Sequence, residues 1–319
     1  APSPLSSPRP LGPLSPSPTS QATPRAAPLR FIDVHDHWPV GITATQVVAV
    51  LDQQGVSKVV LMQNGEGHQP PLPAADAFPD RIIPFAGFAS QKHTRAEIES
   101  VERQLATGRY RGIGEVLSLH YEFSREGTSA PQLEIAADSP WVLDLLCLAA
   151  KWSVVLTIHM ESTAETVPAL ARALRRYPNA LVIWAHQTPL KTFGGQDAAD
   201  ARKGDPAQLA SLLADNPNLY ADIAPGYEGF FFDTSLDTRL PEAWRSVYER
   251  FSDRFVVGFD QPFAQGWQNP GGYARRVAWV RGWLSQLTAS TAARIATENA
   301  ERILSRRPPT GQACQLQSR

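Results

Sequence analysis

Two histidines stand one residue apart at the end of an apolar run, in "FIDVHDHW" from Phe31 to Trp38. Extended backbone alternates its side chains, so this spacing sets His35 and His37 on one face with Asp33 one pleat below. Further ionisable residues interrupt other apolar runs: Glu115 in "YRGIGEVLSL", His159 in "SVVLTIHM", His186 in "ALVIWAHQT" and Asp260 in "RFVVGFDQP". Four of the chain's 7 histidines fall at these points. Each residue alone has an ordinary reading: a hydrogen-bonded core or loop histidine, a glutamate paired with Arg111, an aspartate in a turn. As a set they would leave several polar groups unpaired at one end of a core, at a cost on the order of 1–3 kcal/mol each. A divalent cation removes that penalty, and a mixture of imidazole and carboxylate suits Zn²⁺ and related metals.

The runs that carry these residues read as strands, together with "RFIDVHDH", "SKVVLMQN", "RIIPFAGFA" and "NLYADIAP". Between most of them lie helical patterns such as "TATQVVAVLDQQG", "AEIESVERQLATG", "SPWVLDLLCLAAKW" and "DPAQLASLLADNP". Strand–helix alternation repeated about eight times over ~280 residues predicts an α/β fold of the (β/α)₈ TIM-barrel type; an open doubly wound sheet is the competing arrangement. In a barrel the C-terminal ends of the strands share one rim, where active sites lie, and all six residues gather there. The proline-broken segment "GEGHQPPLPAADAFPD" is the weakest repeat.

Residues 1–29 are rich in proline, serine and small residues without periodicity, and read as a disordered leader or tether; 30–306 form the barrel and 307–319 a flexible tail. Ala1 and a leader without an apolar stretch fit a mature exported product, and equally a trimmed chain. The expected location is therefore extracytoplasmic or secreted, with the cytoplasm as alternative. A net charge of -1 provides no field for a nucleic acid or an anionic membrane. No apolar run approaches the ~18 residues of a membrane span. Two cysteines, Cys147 and Cys314, exclude a disulfide framework and a cysteine-rich zinc site. A small-molecule substrate is the expected partner, and homo-oligomerisation stays open.

In order along the chain, "DVHDHW", "GIGEV", "TIHM", "WAHQ" and "GFDQP" resemble the metal-binding motifs of the amidohydrolase superfamily. "TENAERIL", Thr297 to Leu304, resembles the short helix with which its amidohydrolase-related (amidohydrolase 2) branch closes the barrel. The resemblance implies one or two divalent metals, Zn²⁺ first among them. His35, His37 and Asp260 would bind one metal and His159 and His186 a second, with Glu115 in the place of a bridging carboxylate. In single-metal members His159 joins the first metal, and His186 acts as base or electrophile. The implied activity is hydrolysis of an amide, lactone, ester or phosphoester by metal-activated water, with Asp260 exchanging the proton and His186 sharing that role if one metal binds.

Alternatives are a mononuclear non-oxidative decarboxylase and a non-catalytic metal- or ligand-binding barrel. Glutamate after "GIG" also resembles the TatD-like deoxyribonucleases, which the near-zero net charge disfavours. Substrate contacts are expected from the loops after the strands: Trp38, His120, Lys191, Tyr227 in "PGYEGFFF", and Gln261, which stands where relatives often carry an aromatic.

Overall fold

A computed structural model describes residues 29–121, 131–186, 205–224, 239–269, 272–305, 314 and 316. Every apolar run expected to be a strand is one: β1 (Phe31–His37), β2 (Val56–Met62), β3 (Ile82–Ala86), β4 (Gly112–Tyr121), β6 (Val155–Met160), β7 (Leu181–Trp184), β8 (Leu219–Ile223) and β9 (Phe255–Val257). Each pairs in parallel with the next, β3 with β4, β4 with β6 and β9 with β1, so eight strands close into the expected (β/α)₈ ring. A ninth, β5 (Pro131–Glu134), lies antiparallel on the end of β4.

Helices form where the helical patterns lie, α1 (Ala44–Gln54), α2 (Leu72–Ala77), α3 (Arg95–Ala106), α4 (Pro140–Trp152), α5 (Thr166–Arg176), α6 (Pro206–Asp215) and α7 (Glu242–Arg250); α8 (Ala264–Gln268), α9 (Gly272–Leu284) and α10 (Ala289–Ala293) follow without having been expected, and after one π-helical turn comes α11 (Asn299–Leu304). Thr43 and Thr94 start α1 and α3 with capping boxes completed by Gln46 and Glu97. The proline-broken repeat yields only the 6-residue α2.

Two apolar layers hold the barrel. The outer layer packs strands on helices, with Phe31, Leu51, Val101, Leu156 and Trp184 among its buried members. The inner one fills the lumen with Ile32, Val34, Val60, Met62, Phe85, Val155, Ile183, Tyr220 and Val256. Ala300, Ile303 and Leu304 of α11 join this inner layer. Asn299 fixes α11 by donating to the carbonyls of Ser252 and Phe255 (2.8 Å each), at the N-terminal end of β9. The "TENAERIL" helix therefore plugs the end of the lumen opposite the rim.

Simple alternation fails in β1. Ile32 and Val34 face the lumen, yet the residue after them, His35, faces it too. The pairing of β1 with β2 shifts register between Asp33 and Asp36, and such an irregularity turns the following side chains to the other face. Asp33 consequently does not share the face of the histidines: it lies against the helical layer, accepting from the Tyr273 hydroxyl of α9 (2.7 Å). A second shift, in β4 between Ile113 and Val116, brings Glu115 inward directly after Gly114, which itself faces Met62 and Thr157. Close approach is needed where β1 passes β9, because a Cβ on Gly258 would lie 2.6 Å from that of His35.

The two cysteines, too few for a framework, form one disulfide between α4 and the tail, with Cα atoms 5.7 Å apart. Their sequence separation of 167 residues hid the pairing from any local reading. Leu316 packs against the same outer core, so the tail is held at these points. The helix it holds, α4, has ten buried residues, Trp141 to Ala150, on all its faces. Among the described residues no helix is long and apolar enough to cross a membrane.

Gly258→Ala is expected to destabilise the fold by about 1–3 kcal/mol through overpacking against His35, read from urea unfolding of metal-free protein. An unchanged midpoint would contradict the close crossing of β1 and β9. Thiol titration of the denatured, unreduced protein should detect no free thiol, and two after reduction. Two thiols before reduction would remove the staple.

Candidate metal centre

The rim collects the six expected residues. Glu115 is central: its Oε1 lies 3.2 Å from both His35 Nε2 and His159 Nδ1, and its Oε2 lies 3.5 Å from His37 Nε2. Asp260 stands on the other side, with Oδ1 3.7 Å from His35 Nε2 and 3.5 Å from His37 Nε2, and Oδ2 3.7 Å from His186 Nε2. Three trios have ligand atoms within 4.8 Å of one another: His35, His37 and Glu115; Glu115, His159 and His186; His35, His186 and Asp260. Each trio shares a member with each other trio, so the donors form one continuous cluster.

The backbone that presents them is strained and tied down. His186 and Asp260 both have left-handed φ, 60° and 45°, at a cost of about 1–3 kcal/mol each for non-glycine residues. The His186 amide donates to Asp222 Oδ1 (2.8 Å) and the Asp260 amide to the His35 carbonyl (2.7 Å). Arg276, buried on α9, donates to the carbonyls of Phe259 (2.6 Å) and Asp260 (2.5 Å). Asn64 donates to Glu115 Oε2 (3.2 Å) and is held in turn by Gln91, whose amide also donates to the Glu115 carbonyl (2.8 Å).

Two further carboxylates lie behind the histidines. Asp222 Oδ2 is 2.8 Å from His35 Nδ1, and Glu161 Oε1 is 3.4 Å from His159 Nε2. His68, outside every motif, stacks on His37 with ring centroids 4.8 Å apart and spans the carbonyls of Asn64 and Pro262.

Electrostatics follow from this mixture. Burial alone would push His35 down, but Glu115 and Asp222 hold it well above the ordinary histidine value. His37 is raised in the same way, burial being outweighed by Asp260 and Glu115. For His159, Glu161 and Glu115 overcome burial and push the ring up to about 10. His186 is the exception: burial and the neighbouring His159 charge take it down to about 4. Burial opposes ionisation of Glu115 and Asp260, yet the surrounding imidazoles hold both below the usual carboxylate range. Without a cation, the cluster balances its anions by keeping protons on imidazoles.

The residues fit a divalent cation. His35 Nε2 is buried and, among the described residues, has no hydrogen-bond partner, although it points between two carboxylates. Nitrogen and oxygen donors in this proportion suit Zn²⁺ and Mn²⁺.

Other expected site residues are placed differently or lie outside the described part. Trp38 is buried and donates its indole N–H to the Ile42 carbonyl (2.8 Å). Gln261 is buried with its side chain against Gly266, and its backbone N–H donates to Asp36 Oδ1 (2.5 Å). His120 belongs to β4, but its side chain lies outside the described residues, as do Lys191 and Tyr227. Sequence reasoning missed Asp222, Glu161, Gln91 and Arg276. For Asp222 the signal was present, an aspartate interrupting the apolar run "NLYADIAP".

Residues 20–306 match the sequence family described as Amidohydrolase, and the chain belongs to that family. No curated protein matches it. Among solved structures it is similar to a protein of Agrobacterium tumefaciens in its apo form, at 14% identity and TM-score 0.55, over 88% of this chain and 96% of that one. It is also similar to a dihydroxybenzoic acid decarboxylase of Polaromonas sp. JS666 with bound manganese and 2-nitroresorcinol, at 11% identity and TM-score 0.52, over 86% and 97% of the two chains. A dihydroorotase of Campylobacter jejuni matches at 15% identity and TM-score 0.52, over 86% and 83%. At such identities these structures share the fold.

Metal uptake should release protons. A ring raised to about 10 is protonated at neutral pH and must lose that proton to bind, so Zn²⁺ affinity is expected to rise with pH between about 6 and 8. Calorimetric titration in two buffers of different protonation enthalpy checks this, and heats that do not depend on the buffer would contradict it.

Proposed function

We propose that this amidohydrolase-family protein is a metal-dependent hydrolase of a small-molecule amide, lactone, ester or phosphoester, working with two divalent cations. The observation that carries the reading is Glu115, one carboxylate common to the His35–His37 trio and the His159–His186 trio. His35, His37 and Asp260 would hold one cation and His159 and His186 the other, with Glu115 between them. A cation held there supplies Lewis acidity toward the scissile group and lowers the pKa of a water toward ~7.

The chain's own residues supply the proton handling. Asp260 faces both His37 and His186 and is kept anionic by the imidazoles around it, which suits it to take a proton from the attacking water and return it to the leaving group. Carbonyl substrates are favoured over phosphoryl ones.

A mononuclear decarboxylase is the second reading. What favours it is His186, held down to about 4 and therefore neutral at physiological pH, a state suited to act on substrate directly. We further propose an extracytoplasmic location, supported by the Cys147–Cys314 bond, since such bonds persist in oxidising compartments.

Elemental mass spectrometry on protein purified without chelator should find two metal equivalents in wild type and about one in Glu115→Ala, with hydrolysis of a lactone or amide in a substrate panel lost together with the second equivalent. One equivalent in both proteins would shift the assignment to the mononuclear enzyme. None in either, with no uptake on adding Zn²⁺, would remove the metal reading.

A further inference from the structure

Of the four histidines at the rim, two are backed by a carboxylate on the nitrogen away from the cluster, and the two sit in different trios. His35 Nδ1 meets Asp222 Oδ2 at 2.8 Å, which leaves Nε2 facing Glu115 and Asp260. His159 Nε2 meets Glu161 Oε1 at 3.4 Å, which leaves Nδ1 facing Glu115. His37 and His186 differ: their Nδ1 atoms are buried and have no hydrogen-bond partner among the described residues.

We propose that Asp222 and Glu161 are the positioning residues of the two halves of this centre, each fixing which nitrogen one histidine presents to a cation. The proposal rests on the two-cation reading. A carboxylate accepts and does not donate, so with a cation on the cluster side the one proton left on the ring would sit on the nitrogen facing Asp222 or Glu161, and the opposite nitrogen would offer its lone pair. Such a partner also fixes the ring plane and raises the basicity of the ligating nitrogen, and its loss typically weakens metal binding about 10–100-fold.

The location of Asp222 supports this role. It lies on β8, a strand that contributes no ligand of its own, between the strands that lead to His186 and Asp260, and is fully buried. Besides His35 it accepts from the backbone N–H of His186 (2.8 Å) and of Ala224 (3.2 Å), so one carboxylate sets a side chain on β1 and a backbone after β7 together. Glu161 is reached differently. It stands just beyond β6, two residues after His159, with its backbone anchored by the Leu119 carbonyl (3.3 Å) and the Thr166 hydroxyl (2.7 Å). Because the two carboxylates act from separate elements on separate histidines, their effects should separate.

The test is titration of metal-free, full-length protein with Zn²⁺ alone, in competition with a chelating dye. Glu161→Ala should weaken one equivalent about 10–100-fold and leave the other nearly unchanged, and adding His159→Ala should cost that equivalent little more. Asp222→Asn keeps the size of the side chain but leaves one acceptor atom where three N–H donors meet two, and should weaken chiefly the other equivalent. Side-chain ¹⁵N spectra of the zinc-loaded protein should show His159 bound through Nδ1 in wild type and through a mixture of both nitrogens in Glu161→Ala.

Unchanged affinity in both variants overturns the proposal, as does parallel weakening of both equivalents with His159 still bound through Nδ1, the pattern of a purely structural role. Should Asp222→Asn fail to fold, Glu161→Ala decides alone. If wild type takes up a single equivalent, the two-cation reading falls; positioning then stands if either variant weakens that equivalent about 10–100-fold, and falls if neither does.

Discussion

Six ionisable side chains gathered in one barrel mouth, most of them buried, set the terms for everything around them. Desolvation works against every charge in the cluster, and the cluster survives because each group is near an opposite one: imidazoles raised by carboxylates, carboxylates lowered by imidazoles. The surrounding hydrogen bonds then serve geometry more than neutralisation. Arg276 grips two carbonyls and Gln91 holds Asn64, while Asp222 collects three N–H groups. These contacts keep donor atoms within a few ångströms of positions they would leave if free to repel or swing away.

The backbone contributes to the same end. Two register irregularities, in β1 and β4, let residues of the wrong parity face the lumen, and two left-handed residues turn their side chains inward where strands end. Local rules are broken at four places in one site, which is where a structure that must assemble a polar centre inside an apolar ring is expected to depart from regularity. Below the cluster the same strands revert to ordinary packing, with α11 filling the lumen.

The order and type of the elements were legible because apolar period and helix punctuation are local. All eight barrel strands come directly from such patterns, whereas the closing helix was expected from the resemblance of "TENAERIL". The members of the rim cluster were legible for a similar reason, since a histidine or carboxylate ending an apolar run is conspicuous in "TIHM" or "GFDQP". What was not legible depends on distance in the chain. Asp33 was assigned to the histidine face because alternation cannot reveal a register shift set by the neighbouring strand. Gln91 sits in a loop, and only closure of the ring brings it to Glu115. Gln261 follows Asp260 in sequence, yet its side chain packs against Gly266 of α8.

The disulfide divides the chain in a way the barrel's symmetry conceals. Everything from Cys147 to Cys314 forms a covalent lasso that carries His159, His186 and Asp260, while His35, His37 and Glu115 lie on the open arm before it. The polar cluster is thus a seam between two topologically different pieces of one polypeptide. A single backbone cut anywhere within the lasso leaves both products linked, and whatever bridges the cluster ties the open arm to the loop as well.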